Sequence, residues 1–330
     1  MNAGSSEYLI EVRNLVRTFG SRRERVTAVD DVSFGIREGE VVCLVGESGC
    51  GKTTTGKMIA GLLKPTSGQV LYTGKPVWNP RGDKGEDFKK FRLGVQIIHQ
   101  DPYASLNPSH TIYKILSTPL LHHKLAANTH EALDRVIELL NIVGLSPVED
   151  FLYKYPHQLS GGQRQRVSVA RALTVNPRFI VADEPVSMVD ASNRAEILSL
   201  MRNLCTDRGI SFLYITHDLA SARCFSDRIA VMYLGMIVET GPARTIIETP
   251  LHPYTKGLLA AVPEPDPENR RRERPTIAGD IPSAAEVPAG CPFHPRCPEK
   301  MKGLCDQTRP PSTALSDSRS IACHLFPDKE

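Results

Sequence analysis

The sequence predicts an α/β fold. Apolar, β-rich runs at Glu40–Val45 and Phe179–Ala182 alternate with helical patterns such as Ala191–Cys205, and a glycine-rich phosphate-loop motif joins the first run to a helix. Both runs are apolar almost throughout, so both strands are expected to be buried on both faces. With 330 residues, 41% hydrophobic and 23% charged, the chain can form one large domain or a domain with an appendage. No stretch reaches the ~20 apolar residues of a membrane-spanning helix, and Met1 to Leu9 lacks the basic-then-apolar pattern of a secretory signal. A cytosolic location is the expectation. A formal net charge of +3 gives no whole-chain argument for nucleic acid or anionic lipid.

The elements follow in order. Gly46-Glu47-Ser48-Gly49-Cys50-Gly51-Lys52-Thr53 fits G-x-x-x-x-G-K-[ST], with an apolar strand before it and a helix expected from Thr54 to Leu63 after it. Glycines let successive backbone N–H groups face a phosphate, and the helix start adds partial positive charge. Lys52 reaches the terminal phosphate oxygens, and Thr53 offers a hydroxyl to Mg²⁺. Gly46, Ser48, Gly49, Cys50, Gly51, Lys52, Thr53 and Thr54 are thus candidate contacts to ATP. The Cys50 thiol is expected to be shielded from alkylation by bound nucleotide.

From about residue 111 to 175 helical spacing takes over, as in Glu131–Leu140, with Thr129 a candidate cap. This is read as a helical subdomain. It contains Leu159-Ser160-Gly161-Gly162-Gln163, a second glycine-rich turn before a helix expected from Arg164 to Thr174, and so a second anion site. The run from Phe179 delivers Asp183 to the Mg²⁺ region and is followed by Glu184, which suits a general base for water.

After Val262 a stiff, charged connector is expected at 263–274. The chain thus divides into a domain at 7–262 and a small C-terminal extension at 263–330. Of eight cysteines, Cys43, Cys50, Cys205 and Cys224 are dispersed, while Cys291, Cys297, Cys305 and Cys323 crowd into the extension. Their C-x5-C-x7-C-x17-C spacing lacks the C-x2-C pairs usual for structural zinc, yet four thiolates are enough for an iron–sulfur cluster. His294 and His324 are alternative ligands, and four reduced thiols in a folded tail is the plainer reading.

The order of phosphate loop, Leu159–Gln163 turn, Asp-Glu strand and Thr216-His217-Asp218 resembles the ATP-binding-cassette (ABC) ATPases throughout residues 8–262. The resemblance implies a P-loop NTPase cassette in which two domains pair head to tail. Each ATP is then held between one phosphate loop and the Ser160, Gly161, Gly162, Gln163 signature of the other subunit. Position by position, Phe19 resembles the aromatic that stacks on adenine, although a core aromatic reads similarly. Gln100 resembles the glutamine that senses Mg²⁺ and water, Asp190 the dimer-crossing aspartate, and His217 the switch histidine at the γ-phosphate. Ser187-Met188-Val189 departs from the family's usual residues before that aspartate.

Three segments, Gln100–Pro108, His252–Leu259 and Gly290–Pro298, resemble the dipeptide and oligopeptide permease ATPases and extend the likeness over nearly the whole chain. This implies a peripheral subunit on the cytoplasmic face of the membrane. Its implied partners are a second, homologous ATPase (a heterodimer), two transmembrane permeases and an extracytoplasmic solute-binding protein, with no nucleic acid. Related importers imply a 4Fe-4S cluster on the four crowded cysteines. The same motor in an importer of oligosaccharides or another small solute is the alternative. A soluble ABC ATPase of translation or DNA repair fits less well, because there is one cassette and only a modest helical insertion. A regulator without hydrolysis is disfavoured by the presence of both Glu184 and His217.

Overall fold

The computed structural model describes residues 7–21, 25–79, 87–262, 277, 279–280, 282–283, 285–315 and 318–327. The connector expected at 263–274 lies outside these residues. Contacts divide the chain into two compact units. One holds the described residues up to Arg37, from Val41 to residue 79 and from Tyr214 onward; the other holds Glu38–Glu40 and residues 87–213.

The first unit opens with β1 (Ile10–Phe19) and β2 (Val26–Ile36), paired antiparallel from Ile10 opposite Ile36 to Phe19 opposite Val26. Next come β3 (Val41–Val45), buried along its whole length as its composition predicts, and α1 (Lys52–Ile59). Helix α1 starts earlier than expected, at Lys52, and stops before Leu63. Gly61, at φ 66°, donates to Met58 O while Leu62 N donates to Lys57 O, so a Schellman turn ends the helix. Strands β4 (Ser67–Tyr72) and β5 (Lys75–Pro76) complete a four-stranded sheet of order β2-β1-β4-β5.

The second unit begins with α2 (Phe88–Gly94) and β6 (Val95–Ile98). Asp101 Oδ1 accepts from Tyr103 N at 2.8 Å and starts the short α3 (Pro102–Ser105). Helices α4 (Ile112–His122), α5 (Thr129–Ile142), α6 (Glu149–Leu152) and α7 (Gly161–Leu173) occupy the stretch where the sequence predicts a helical subdomain. In α5, Ala132, Val136, Leu139 and Leu140 are buried at helical spacing. Its cap is Asn128 rather than Thr129, because Asn128 keeps an extended backbone and its Oδ1 accepts from Glu131 N at 3.0 Å. Strand β7 (Phe179–Asp183) is wholly buried and pairs parallel with β6, with Val95 opposite Phe179 and Ile98 opposite Ala182. Helix α8 (Ala191–Arg208) ends at Gly209, whose φ of 65° supplies the left-handed turn.

Within β8 (Ser211–Thr216) the chain returns to the first unit. There follow α9 (Leu219–Phe225), β9 (Arg228–Tyr233), β10 (Met236–Pro242), α10 (Ala243–Glu248) and α11 (Pro253–Ala260). The extension contributes β11 (Thr313–Leu315) and β12 (Arg319–Ile321), and the first unit's second sheet runs β11-β12-β10-β9-β3. Strand β3 is parallel to β9, with Val45 opposite Val231.

The described residues of the extension share a unit with the phosphate loop. Three contacts explain this. Strand β12 pairs with β10, with Ile321 opposite Glu239. Arg319 Nε donates to Glu239 Oε1 at 3.1 Å, and Glu239 is fully buried. The ring of Phe293 packs edge-on against Tyr233, with centroids 5.3 Å apart, and tilts against Tyr254 at the same distance. Among the described residues, no helix is long and apolar enough to cross a membrane.

Candidate nucleotide site

In the first unit the phosphate loop lies hard against neighbouring backbone. A Cβ at Gly46 would stand 2.1 Å from the carbonyl oxygen of Met232, the residue that continues the β3–β9 register. Gly51 has φ 105°, and a Cβ there would meet the Ala28 carbonyl oxygen at 2.2 Å. Only glycine fits either place. Gly51 also caps α1 without a side chain, so the helix start carries no side-chain acceptor of its own. That leaves its positive end, with Lys52, Thr53 and Thr54 in the first turn, suited to an anion. Lys52 Nζ donates to the carbonyls of Gly46 and Glu47, both at 2.8 Å, and to Cys50 Sγ at 3.6 Å. The amine is thereby kept inside the loop formed by Gly46, Ser48, Gly49 and Cys50.

Burial pushes the Cys50 thiol up, with the positive charge of Lys52 opposing the rise. Buried and held protonated, Cys50 is a slow nucleophile even before any shielding by nucleotide. Phe19 ends β1 with 40% of its surface exposed, which sets it outside the core, and the Arg17 guanidinium lies 4.6 Å from its ring centroid. His217 is exposed, one residue beyond β8. The turn that carries it is fixed by Asp218, whose N–H donates to Thr216 Oγ1 at 3.0 Å and whose Oδ1 accepts from Ala220 N at 2.9 Å.

The second unit holds Gln100, Asp183, Glu184, the signature turn and Asp190. Continuing the β6–β7 register by two residues sets Gln100 opposite Glu184, and Gln100 Nε2 donates to Glu184 Oε2 at 3.1 Å. Asp183 is buried at the end of β7. Glu184 follows with φ 46°, a left-handed conformation that bulky residues rarely adopt and that turns its side chain out of the strand's alternation. Ser160 caps α7, so the helix begins at Gly161, ahead of the expected Arg164. Ser160 Oγ accepts from Gln163 N at 3.2 Å while Gln163 Oε1 accepts from Ser160 N at 3.0 Å. This reciprocal box fixes the turn through Gly161 and Gly162, and its S-x-x-Q spacing was a usable signal that the motif reading passes over. Asp190 stands at the start of α8 without a side-chain bond to its backbone, its Oδ1 accepting instead from Asn193 Nδ2 at 2.8 Å.

The cysteine expectation gains no support among the described residues. Cys291 N donates to Cys305 O at 2.8 Å. Burial pushes the Cys291 thiol up to about 11, with Cys323, Cys305 and Cys297 adding to the rise, so the thiols are near one another. Yet among the described residues no group of three or more His, Cys, Asp or Glu side chains is arranged to hold a metal ion. The candidate ligands are turned to local partners. Cys305 Sγ accepts from Met301 N at 3.4 Å, His294 Nδ1 pairs with Cys291 O at 2.9 Å and His324 Nε2 with Thr308 O at 2.8 Å.

A strand, a phosphate loop and an α1 start built for an anion define a P-loop nucleoside triphosphatase. The chain belongs to the ABC transporter family, whose sequence pattern matches residues 29–187, while the pattern described as the oligopeptide/dipeptide transporter C-terminal region matches residues 238–305. It is accordingly an ABC-type ATPase with an ABC-cassette fold. Over 325 residues it is 47% identical to the putative oligopeptide transport ATP-binding protein YkfD of Bacillus subtilis, covering 98% of this chain and 97% of that one. It is 42% identical to the oligopeptide transport ATP-binding protein AppF of the same organism, over 99% of this chain and 100% of that one. Among solved structures, the dimeric post-hydrolysis state of the ATP-binding cassette MJ0796 bound to ADP and Pi is similar, with a TM-score of 0.64 and 32% identity. That likeness covers 71% of this chain and 99% of the other.

Proposed function

We propose that this chain is the ATP-hydrolysing subunit of an importer of di- and oligopeptides, attached to the cytoplasmic face of the membrane through two transmembrane permeases. The observation that carries the reading is the match of residues 238–305 to the oligopeptide/dipeptide transporter C-terminal region, in a chain similar along its whole length to oligopeptide transport ATP-binding proteins. The working assembly is a heterodimer with a second, homologous ATPase, supplied by an extracytoplasmic solute-binding protein.

In this mechanism the α1 start and Lys52 bind the β- and γ-phosphates, and Phe19 stacks on adenine. Thr53 and Asp183, with Gln100, would hold Mg²⁺, which when bound neutralises charge on the phosphate oxygens. Glu184 accepts a proton from the attacking water while Gln100 keeps its carboxylate oriented, and His217 supports the same water against the γ-phosphate. Ser160, Gly161, Gly162 and Gln163 close on the partner's nucleotide and Asp190 crosses the dimer, so a lone subunit hydrolyses poorly. Closure moves the permeases, and release of product reopens them.

The test is ATPase activity of the complete complex in lipid, with its binding protein loaded with short peptides or with oligosaccharides. Stimulation by peptide alone is expected. Stimulation by oligosaccharide alone replaces the cargo and leaves the motor in place; no activity in any assembly removes the transport role.

A further inference from the structure

Glu47 is the single carboxylate within the phosphate loop, and residues distant in sequence hold it. Arg296, from a one-turn 3-10 helix (His294–Arg296) of the extension, donates from Nη1 to Glu47 Oε2 at 2.8 Å and from Nη2 to Oε1 at 3.0 Å. The two side chains are only 6% and 21% exposed. Tyr254 Oη accepts from the Glu47 N–H at 2.9 Å, and the ring cluster of Tyr233, Tyr254 and Phe293 surrounds this point. On its other side, the Glu47 carbonyl receives the Lys52 amine at 2.8 Å. The grip of the extension therefore falls on the residue whose carbonyl holds the lysine that reaches for phosphate.

We propose that Arg296 is a positioning residue for ATP binding, cancelling the charge of the loop's own carboxylate and fixing the loop's entry with a two-pronged bond. The extension is then a working part of the nucleotide site rather than an appendage to it. An unpaired carboxylate here would stand half-buried beside an incoming polyanion, where screening is weak. A planar guanidinium meets both carboxylate oxygens at once, which a lysine does not. The Glu47 bond also lifts the guanidinium's proton affinity further above its ordinary range, so the guanidinium stays charged.

The inference rests on ATP binding at this loop and is independent of the cargo. The experiment titrates the full-length chain with a fluorescent ATP analogue and follows KM for ATP in the assembled complex. R296M is expected to bind about tenfold more weakly, the loss appearing in KM rather than kcat, because removing one partner strands a buried charge. E47Q/R296M, without that charge, recovers to within about threefold of the parent. R296K, with the charge but not the fork, also loses about threefold. The control is R309M, which breaks a different ion pair of the extension, Arg309 to Asp30 at 2.7 Å, and leaves affinity unchanged. Parent-like affinity in R296M, equal loss in R296M and R309M, or no recovery in the double variant overturns the proposal. If R296M does not fold, parent-like affinity in R296K overturns it instead. Failure of the parent chain to bind the analogue would remove the site reading itself.

Discussion

Gln100 and Glu184 meet through sheet register: each lies two residues beyond a paired position, Ile98 opposite Ala182, and the amide reaches the carboxylate at 3.1 Å. The bond fixes one oxygen of the candidate base. Glu184→Gln is expected to lower kcat of the assembled complex by roughly 10²–10⁴-fold, the range ascribed to a general base, while ATP binding persists. Gln100→Glu replaces the donor at 3.1 Å with a second carboxylate, so the bond to Glu184 is lost and kcat is expected to fall. A parent-like kcat would separate the two residues functionally.

The signature turn is held by the Ser160–Gln163 box. Ser160→Ala removes one of its two bonds and is expected to lower stability by about 1 kcal/mol, read from the urea midpoint. Ser160→Asn, which keeps an acceptor, recovers most of the loss.

Arg319 and Glu239 form an ion pair inside the first unit, and Glu239 also accepts from Leu251 N at 3.0 Å and His252 N at 3.1 Å. Arg319→Met leaves that carboxylate buried without a cation and is expected to destabilise by about 3–5 kcal/mol. Adding Glu239→Gln recovers most of this in the same unfolding experiment.

His252 caps α11, its Nδ1 accepting from Tyr254 N at 3.0 Å. Burial, with the charge of Lys256 adding to it, pushes the imidazole down to about 3 from its ordinary 6.5. Between those values the unfolded chain takes up a proton that the folded chain refuses. The contribution to stability is thus complete above pH 6.5 and lost as pH falls toward 3. His252→Asn keeps a capping acceptor and does not titrate, so its unfolding midpoint is expected to fall less over that window. Parallel pH profiles for the two proteins would refute this.

What was legible in the sequence is what lies within a few residues. The phosphate loop, the signature turn and the Asp-Glu strand are contiguous, and a contiguous motif dictates its own backbone, so Lys52, Ser160 and Asp183 could be picked out directly. Pairings depend on the fold. The Gln100–Glu184 bond joins positions 84 apart and needs the β6–β7 register, while Arg296 and Glu47 lie 249 apart with no periodicity to connect them. Caps were legible in kind but not in place, since Asn128 and Thr129 are adjacent and equally able to cap. The cysteines are legible as a count of candidate ligands, while their spacing does not show where they point.

The tie between Arg319 and Glu239 also sets a schedule for synthesis. Arg319 leaves the ribosome 80 residues after Glu239, which at about 5–20 residues per second is an interval of seconds. Throughout it, β10 exists without the cation that allows its carboxylate to leave water. Folding of the first unit is therefore finished from its tail, and a chain stalled before Arg319 presents a hydrated acid where the core should close, a defect open to proteases that patrol nascent proteins.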